Sequence, residues 1–141
     1  MRERLGDTPE PVSAAAGYRE LVHRWLYSFG PGTENDPVWW LGATKTVVRK
    51  ALAGLGAVPV TLDTGTAGWL RADDLDRVDD PGPWAALLPV LDPTVMGWQG
   101  RGFHLGPHRD LLFERRGNAG PATWLGGFRV PTVYTSPAMK P

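Results

Sequence analysis

Apolar residues recur with helical spacing in the first third of the chain and with strand spacing after it. Tyr18, Leu21, Val22, Trp25, Leu26 and Phe29 fall at i, i+3, i+4, i+7, i+8 and i+11, a one-sided stripe with Arg19, Glu20, His23 and Arg24 on the other face. Gly30, Pro31 and Gly32 predict its end, with a glycine in left-handed C′ geometry and a proline that cannot continue the ladder. Thr33 predicts the N-cap of a second helix, with Asp36 in the capping-box position. Pro37 leaves a second start open, in which Asp36 is the cap and Pro37 the first helical residue. After a break at Leu41, Gly42 and Ala43, the third helix reads cleanly: Thr44 as cap, Val47, Val48, Ala51, Leu52 and Leu55 inward, and Gly56 at C′. Lys45, Thr46, Arg49 and Lys50 remain on its outward face.

Residues 57–72 change period. Val58, Val60 and Leu62 alternate with Ala57, Pro59 and Thr61, residues 63–66 make a turn, and residues 68–71 return, which predicts a hairpin with Pro59 on an edge strand. Three helices followed by a hairpin outline a winged helix whose third helix could enter a DNA groove. An acidic, proline-bearing stretch at 73–83 marks a subdomain boundary. Beyond it, residues 84–91 have strand length, Asp92 and Pro93 start a turn, and residues 97–104 read as glycine-rich loop. Residues 108–116 read as a short helix, and residues 122–125 with 128–130, around Gly126 and Gly127, as a second hairpin. The predicted fold is α+β: a flexible segment at 1–13, a winged helix at 14–78, a linker at 79–83, a small β-rich domain at 84–130 and an irregular tail at 131–141.

Composition supports one modest or two small globular units, since 42% of the 141 residues are hydrophobic and 21% charged. No run reaches the roughly 20 apolar residues of a membrane span, and the first residues lack the apolar core of a signal peptide, so a soluble cytoplasmic protein is expected. Without cysteine there is no disulfide, thiol catalysis or cysteine metal site. The net charge of zero opposes a chain-wide nucleic-acid surface. Its distribution leaves room for patches: residues 17–56 carry five cations against three acids, residues 57–84 are acidic, and residues 97–129 are basic again.

Most single features have a structural reading. His104 and His108 are four apart, but Leu105, Gly106 and Pro107 keep them off one helix, so loop or capping roles come before metal ligation. Asp73, Asp74 and Asp76 lack the glycine and distal glutamate of a calcium loop and read as a solvated turn. Of seven tryptophans, Trp25, Trp39, Trp40 and Trp69 take core-facing positions; Trp98, in a glycine loop beside Arg101, stays open as a contact residue. No Gly-Lys-Ser/Thr phosphate loop or serine nucleophile elbow is present. Lys45, Arg49 and Lys50 suit phosphate contacts, while the absence of Asn and Gln from their helix gives no base-reading group. From periodicity alone, a three-helix packing unit with solvated cations is an equal alternative.

One combination of residues carries a resemblance. Arg24-Trp25-Leu26-Tyr27-Ser28-Phe29-Gly30-Pro31-Gly32-Thr33, Trp39-Trp40 and Leu52-Ala53-Gly54-Leu55-Gly56 precede Leu87-Leu88-Pro89-Val90-Leu91-Asp92, Gly97, Arg101, Leu105-Gly106-Pro107-His108-Arg109, Phe113 and Gly117-Asn118-Ala119-Gly120-Pro121. Over roughly residues 17–127 this resembles the bacterial winged-helix DNA-binding family that includes the AlkZ/YcaQ-type interstrand-crosslink DNA glycosylases. The resemblance implies several tandem winged helices and a C-terminal β domain in the family, of which this chain looks like the last winged helix and that β domain. It also implies a catalytic Gln-x-Gln or Gln-x-Asp motif; here Gln99 is the only glutamine, followed by Gly100 and Arg101, so no position inherits that role.

The sequence is therefore read as a double-stranded-DNA-binding module that grips the phosphate backbone with little sequence preference. It is expected to be cytoplasmic or nucleoid-associated and to need no cofactor, metal or membrane, with oligomeric state left open. The expected contacts are Lys45, Thr46, Arg49, Lys50, Trp98, Arg101 and Arg109. Two alternatives stand beside it: a glycosylase acting on alkylated or crosslinked DNA with its catalytic part supplied elsewhere, and a degenerate fragment or interaction module. Base excision needs a group that orients water or stabilises the sugar cation in a sheltered pocket. Asp73, Asp74, Asp76, Asp79 and Asp80 lie in a solvated acidic stretch, and Asp92 and Asp110 have turn and helix-surface readings. The 141-residue chain is expected to release no base from alkylated duplex DNA; multiple-turnover excision that disappears in Asp92→Asn or Asp110→Asn would contradict this.

Overall fold

A computed structural model of the chain describes residues 10–76, 78–79, 81–105, 109–126 and 132–135. Helix α1 (Ala14–Phe29) starts where the Ser13 hydroxyl accepts from the Ala16 N–H at 3.2 Å, and it buries Val22, Trp25 and Leu26. The buried stripe is narrower than the pattern predicts: Leu21 is exposed, because α1 packs chiefly against a single helix, α3 (Lys45–Leu55). Gly30 also departs from expectation. It is extended, at φ −63° and ψ 150°, rather than left-handed. A residue before proline is pushed out of the helical region, so Pro31 ends α1 through its neighbour.

Helix α2 (Asn35–Leu41) starts at neither expected position: Glu34 precedes it as the capping residue, between the Thr33 and Asp36 alternatives. Pro37 is its third residue, where the missing N–H removes no intrahelical bond. The Asp36 carboxylate reaches back to the Thr33 N–H at 2.8 Å and the Thr33 hydroxyl at 2.6 Å, only half of the expected capping box, because the threonine hydroxyl donates instead of accepting a helix N–H. Helix α3 is as the sequence predicts. Thr44 Oγ1 accepts from the Val47 N–H, Gly56 takes the left-handed cap at φ 64°, and Val48, Ala51 and Leu52 are buried. Strands β1 (Val58–Thr61) and β2 (Ala67–Leu70) pair antiparallel, Val58 opposite Leu70 and Thr61 opposite Ala67. The hairpin is anchored by Gly32, which exchanges two backbone hydrogen bonds with Trp69; a Cβ there would sit 2.3 Å from the Trp25 ring, so only glycine fits.

The second half is an antiparallel sheet in the order β3-β4-β5, from Trp84–Leu88, Ala122–Gly126 and Thr132–Thr135. Among the described residues, three single-turn helices come between β3 and β4: α4 (Pro93–Met96), α5 (Gly102–Leu105) and α6 (Arg109–Leu112). Their Val95, Leu105 and Leu112 pack with Ala119, Ala122 and Trp124 as a second core. Several expectations change here. Residues 102–105, expected as loop, form a helical turn, and the expected helix at 108–116 is confined to α6 because Phe113 bridges to Ala119 around a reversal at Gly117, φ 84°. His108 and residues 128–130, the predicted return strand of the second hairpin, lie outside the described residues. Strand β4 is paired by β3 and by β5, whose residues fall within the expected irregular tail. Thr132, Val133, Tyr134 and Thr135 all favour extended backbone, and no proline falls among them.

The two cores meet at the segment after α4. Asp36, 4% exposed, also accepts the Gln99 N–H at 2.8 Å. The Trp25 indole donates to the Gly97 carbonyl and the Trp98 indole to the Phe29 carbonyl, each at 3.0 Å. A Cβ on Gly97 would fall 2.5 Å from the Phe29 ring. Asp36→Asn turns an amide NH2 toward N–H and O–H donors, and should lower unfolding free energy by roughly 2–3 kcal/mol in urea titrations. An unchanged midpoint would show that this junction contributes little.

Candidate nucleic-acid interface

Helix α3 presents its charges on one side because its apolar residues occupy the other. Lys45 and Arg49 are one turn apart, as are Thr46 and Lys50, and all four are exposed while Val48, Ala51 and Leu52 are buried. No acid lies on the helix. Arg49, however, is not free: its Nε donates to Glu34 Oε2 at 2.6 Å, across to the residue preceding α2. That bond, and the carboxylate's charge, push the Arg49 guanidinium further above its ordinary value. The hairpin is electrostatically different. Residues 57–70 hold no Lys or Arg, and their only charge is Asp63 at the turn.

Beneath the hairpin lies a cleft of about 920 Å³ walled by Phe29, Pro31, Leu62, Leu70, Trp98 and Phe103. Asp36 and Asp63 also line it and, among the described residues, no cation does, so it is unsuited to a phosphate. The remaining expected contacts divide. Trp98 is half-buried, its ring edge-on to Phe29 and Phe103, its N–H bonded to the Phe29 carbonyl. Arg101 donates through Nε to the Trp98 carbonyl at 2.8 Å, with its guanidinium 5.0 Å from the Trp39 ring centre and 4.5 Å from that of Phe113. Burial there, then the charge of Arg109, lowers its pKa. Arg109 is exposed on α6. Thus the structure gathers Lys45, Thr46, Arg49 and Lys50 on one face, turns Trp98 and Arg101 inward, and leaves Arg109 on the second unit.

The family description DNA glycosylase AlkZ-like matches residues 2–135. The chain belongs to the AlkZ-like family. A solved structure, the Streptomyces sahachiroi DNA glycosylase AlkZ, is similar with a TM-score of 0.65 at 18% identity, over 96% of this chain and 40% of that one, which shows a shared fold. Two curated Multifunctional CCA proteins, from Xanthomonas campestris pv. campestris strains B100 and ATCC 33913, are 28% identical over 99% of this chain. The chain spans 40% of the length of these curated relatives. Among the described residues, no helix is long and apolar enough to cross a membrane.

Two further acids in this AlkZ-like chain, Asp92 and Asp73, have local partners. Asp92 Oδ1 accepts the Thr94 N–H at 2.9 Å and caps α4. Asp73 is paired with Arg71, which holds its carboxyl below the ordinary value, and no group of three potential metal ligands occurs among the described residues. His104 is the group whose environment the sequence least reveals. Its ring lies against Phe103, Trp98 and Trp124, at centroid distances of 4.4, 5.1 and 5.5 Å, and neither ring nitrogen has a hydrogen-bond partner among the described residues. Burial, then the positive charge of Arg101, pushes its pKa from 6.5 down to about 4. The unfolded chain therefore takes up the extra proton between those values. This stability is fully present above pH 6.5 and is lost as pH falls toward 4. Relative to His104→Leu, the unaltered chain should lose about 1–2 kcal/mol over that interval, after allowing for partial solvent screening. Parallel stability profiles from urea unfolding would contradict an imidazole held neutral.

Proposed function

We propose that residues 14–78 form a winged helix that binds double-stranded DNA through its phosphate backbone, with Lys45, Thr46, Arg49 and Lys50 as the principal contacts. The observation that carries this reading is the cationic face of α3, with no acid on the helix and its apolar side in the core. Lysine, arginine and threonine side chains meet phosphate oxygens by charge and hydrogen bonding and read no base edge, so the reading includes little sequence preference. The hairpin adds no cation, which confines the footprint to α3, with exposed Arg109 as an outlying contact. Trp98 and Arg101, which engage Phe29, Trp39 and Phe113, fall outside this footprint.

Family membership favours a second reading at the level of a longer protein. In it the chain is the DNA-gripping part of a repair glycosylase acting on alkylated or crosslinked DNA, whose excising residues lie outside these 141 positions. Both readings require the same α3 contact. The test is a fluorescence-anisotropy titration of labelled duplex DNA over a series of salt concentrations. Arg49→Ala and Lys50→Ala should each weaken binding by roughly three- to tenfold and flatten the salt dependence by about one unit per lost phosphate contact. Unchanged affinity and slope in both would move the footprint off α3, with Arg109 the next candidate.

A further inference from the structure

Glu34 and Arg49 are unequal partners. Glu34 immediately precedes α2, its carbonyl accepts the Val38 N–H, and its side chain is 19% exposed. Arg49 is 65% exposed at the middle of α3. The fold therefore fixes the carboxylate, and the carboxylate restrains a long side chain that otherwise samples many rotamers. Contact is made through Nε, and the two terminal nitrogens have no partner among the described residues. With one edge of the planar fork occupied, the end-on edge, with its two parallel N–H directions, remains for a tetrahedral oxyanion. Lys45 and Lys50 cannot do the same, because an ammonium is a point charge without a fork.

Building on the α3 reading above, we propose that Glu34 is a positioning residue that holds Arg49 for a two-point, end-on contact with one backbone phosphate of the nucleic acid. The ordering of the side chain is then completed in the free protein and need not be supplied on binding. A pair that merely cancelled charge would act in the opposite direction: removing Glu34 would strengthen attraction to a polyanion. The two roles therefore differ in sign.

The test uses the full chain, labelled duplex DNA, anisotropy at several salt concentrations, and thermal unfolding to verify folding. Glu34→Ala should weaken binding by roughly three- to tenfold, the scale of one charge-assisted contact, even though it removes a negative charge. Glu34→Gln keeps an oxygen that accepts from Nε and should bind at least as tightly as the unaltered chain. Arg49→Lys keeps the charge and should still lose affinity by a similar factor, with most of the salt slope retained. Equal or tighter binding by Glu34→Ala overturns the proposal, as does full affinity in Arg49→Lys, which also decides the matter if the alanine variant does not fold. No salt-dependent binding by the unaltered chain would overturn the α3 reading itself.

Discussion

The buried carboxylate of Asp36 joins the two halves of this chain. It accepts the Thr33 N–H and hydroxyl on one side and the Gln99 N–H on the other, so one side chain ties the turn before α2 to the segment after α4. Burying such a group without donors is costly, and the donors come from two stretches more than sixty residues apart. Loss of either stretch leaves the other with an unsatisfied polar atom. That dependence couples the turn before α2, the packing between the two cores and the orientation of α2.

Around it, two indoles and a phenyl ring make the junction apolar. Trp25 and Trp98 each donate across it, and Phe29 lies within 5.9 Å of Trp25, 5.4 Å of Trp40 and 5.5 Å of Trp98, measured between ring centres. The contacts continue through Phe103 and His104 to Trp124 in the second core. Tryptophan suits this position because it buries a large apolar area while its N–H satisfies a backbone carbonyl in the interior. Gly32 and Gly97 are the matching requirement, since each leaves room for a ring.

The charged surface depends on this interior. Asp36 and Pro37 bury the start of α2, which fixes the Glu34 position, and Glu34 meets Arg49 on α3. A feature of the proposed phosphate-binding face thus traces to a carboxylate that never reaches it. Arg101 shows the converse. It is a cation in a basic segment, yet it is partly buried, bonded to the Trp98 carbonyl and set over the faces of Trp39 and Phe113.

By itself, the sequence determined the local structure of the first half: the end of α1, the extent of α3, the Thr44 and Gly56 caps, the hairpin turn and the separation of α3 into apolar and cationic sides. These follow from neighbours within about four residues, where spacing and capping chemistry act directly. The family resemblance was legible as well, because it rests on the order of residue types along the chain, and residues 2–135 match that family. Tertiary structure alone decided the rest. Whether Trp98 and Arg101 face solvent, which acid meets Arg49, and how His104 comes to lie in a cage of rings depend on residues brought together from distant positions. The second half was harder to read because its elements are only four or five residues long, too short for a periodic signal, and β4 takes its register from partners on both sides.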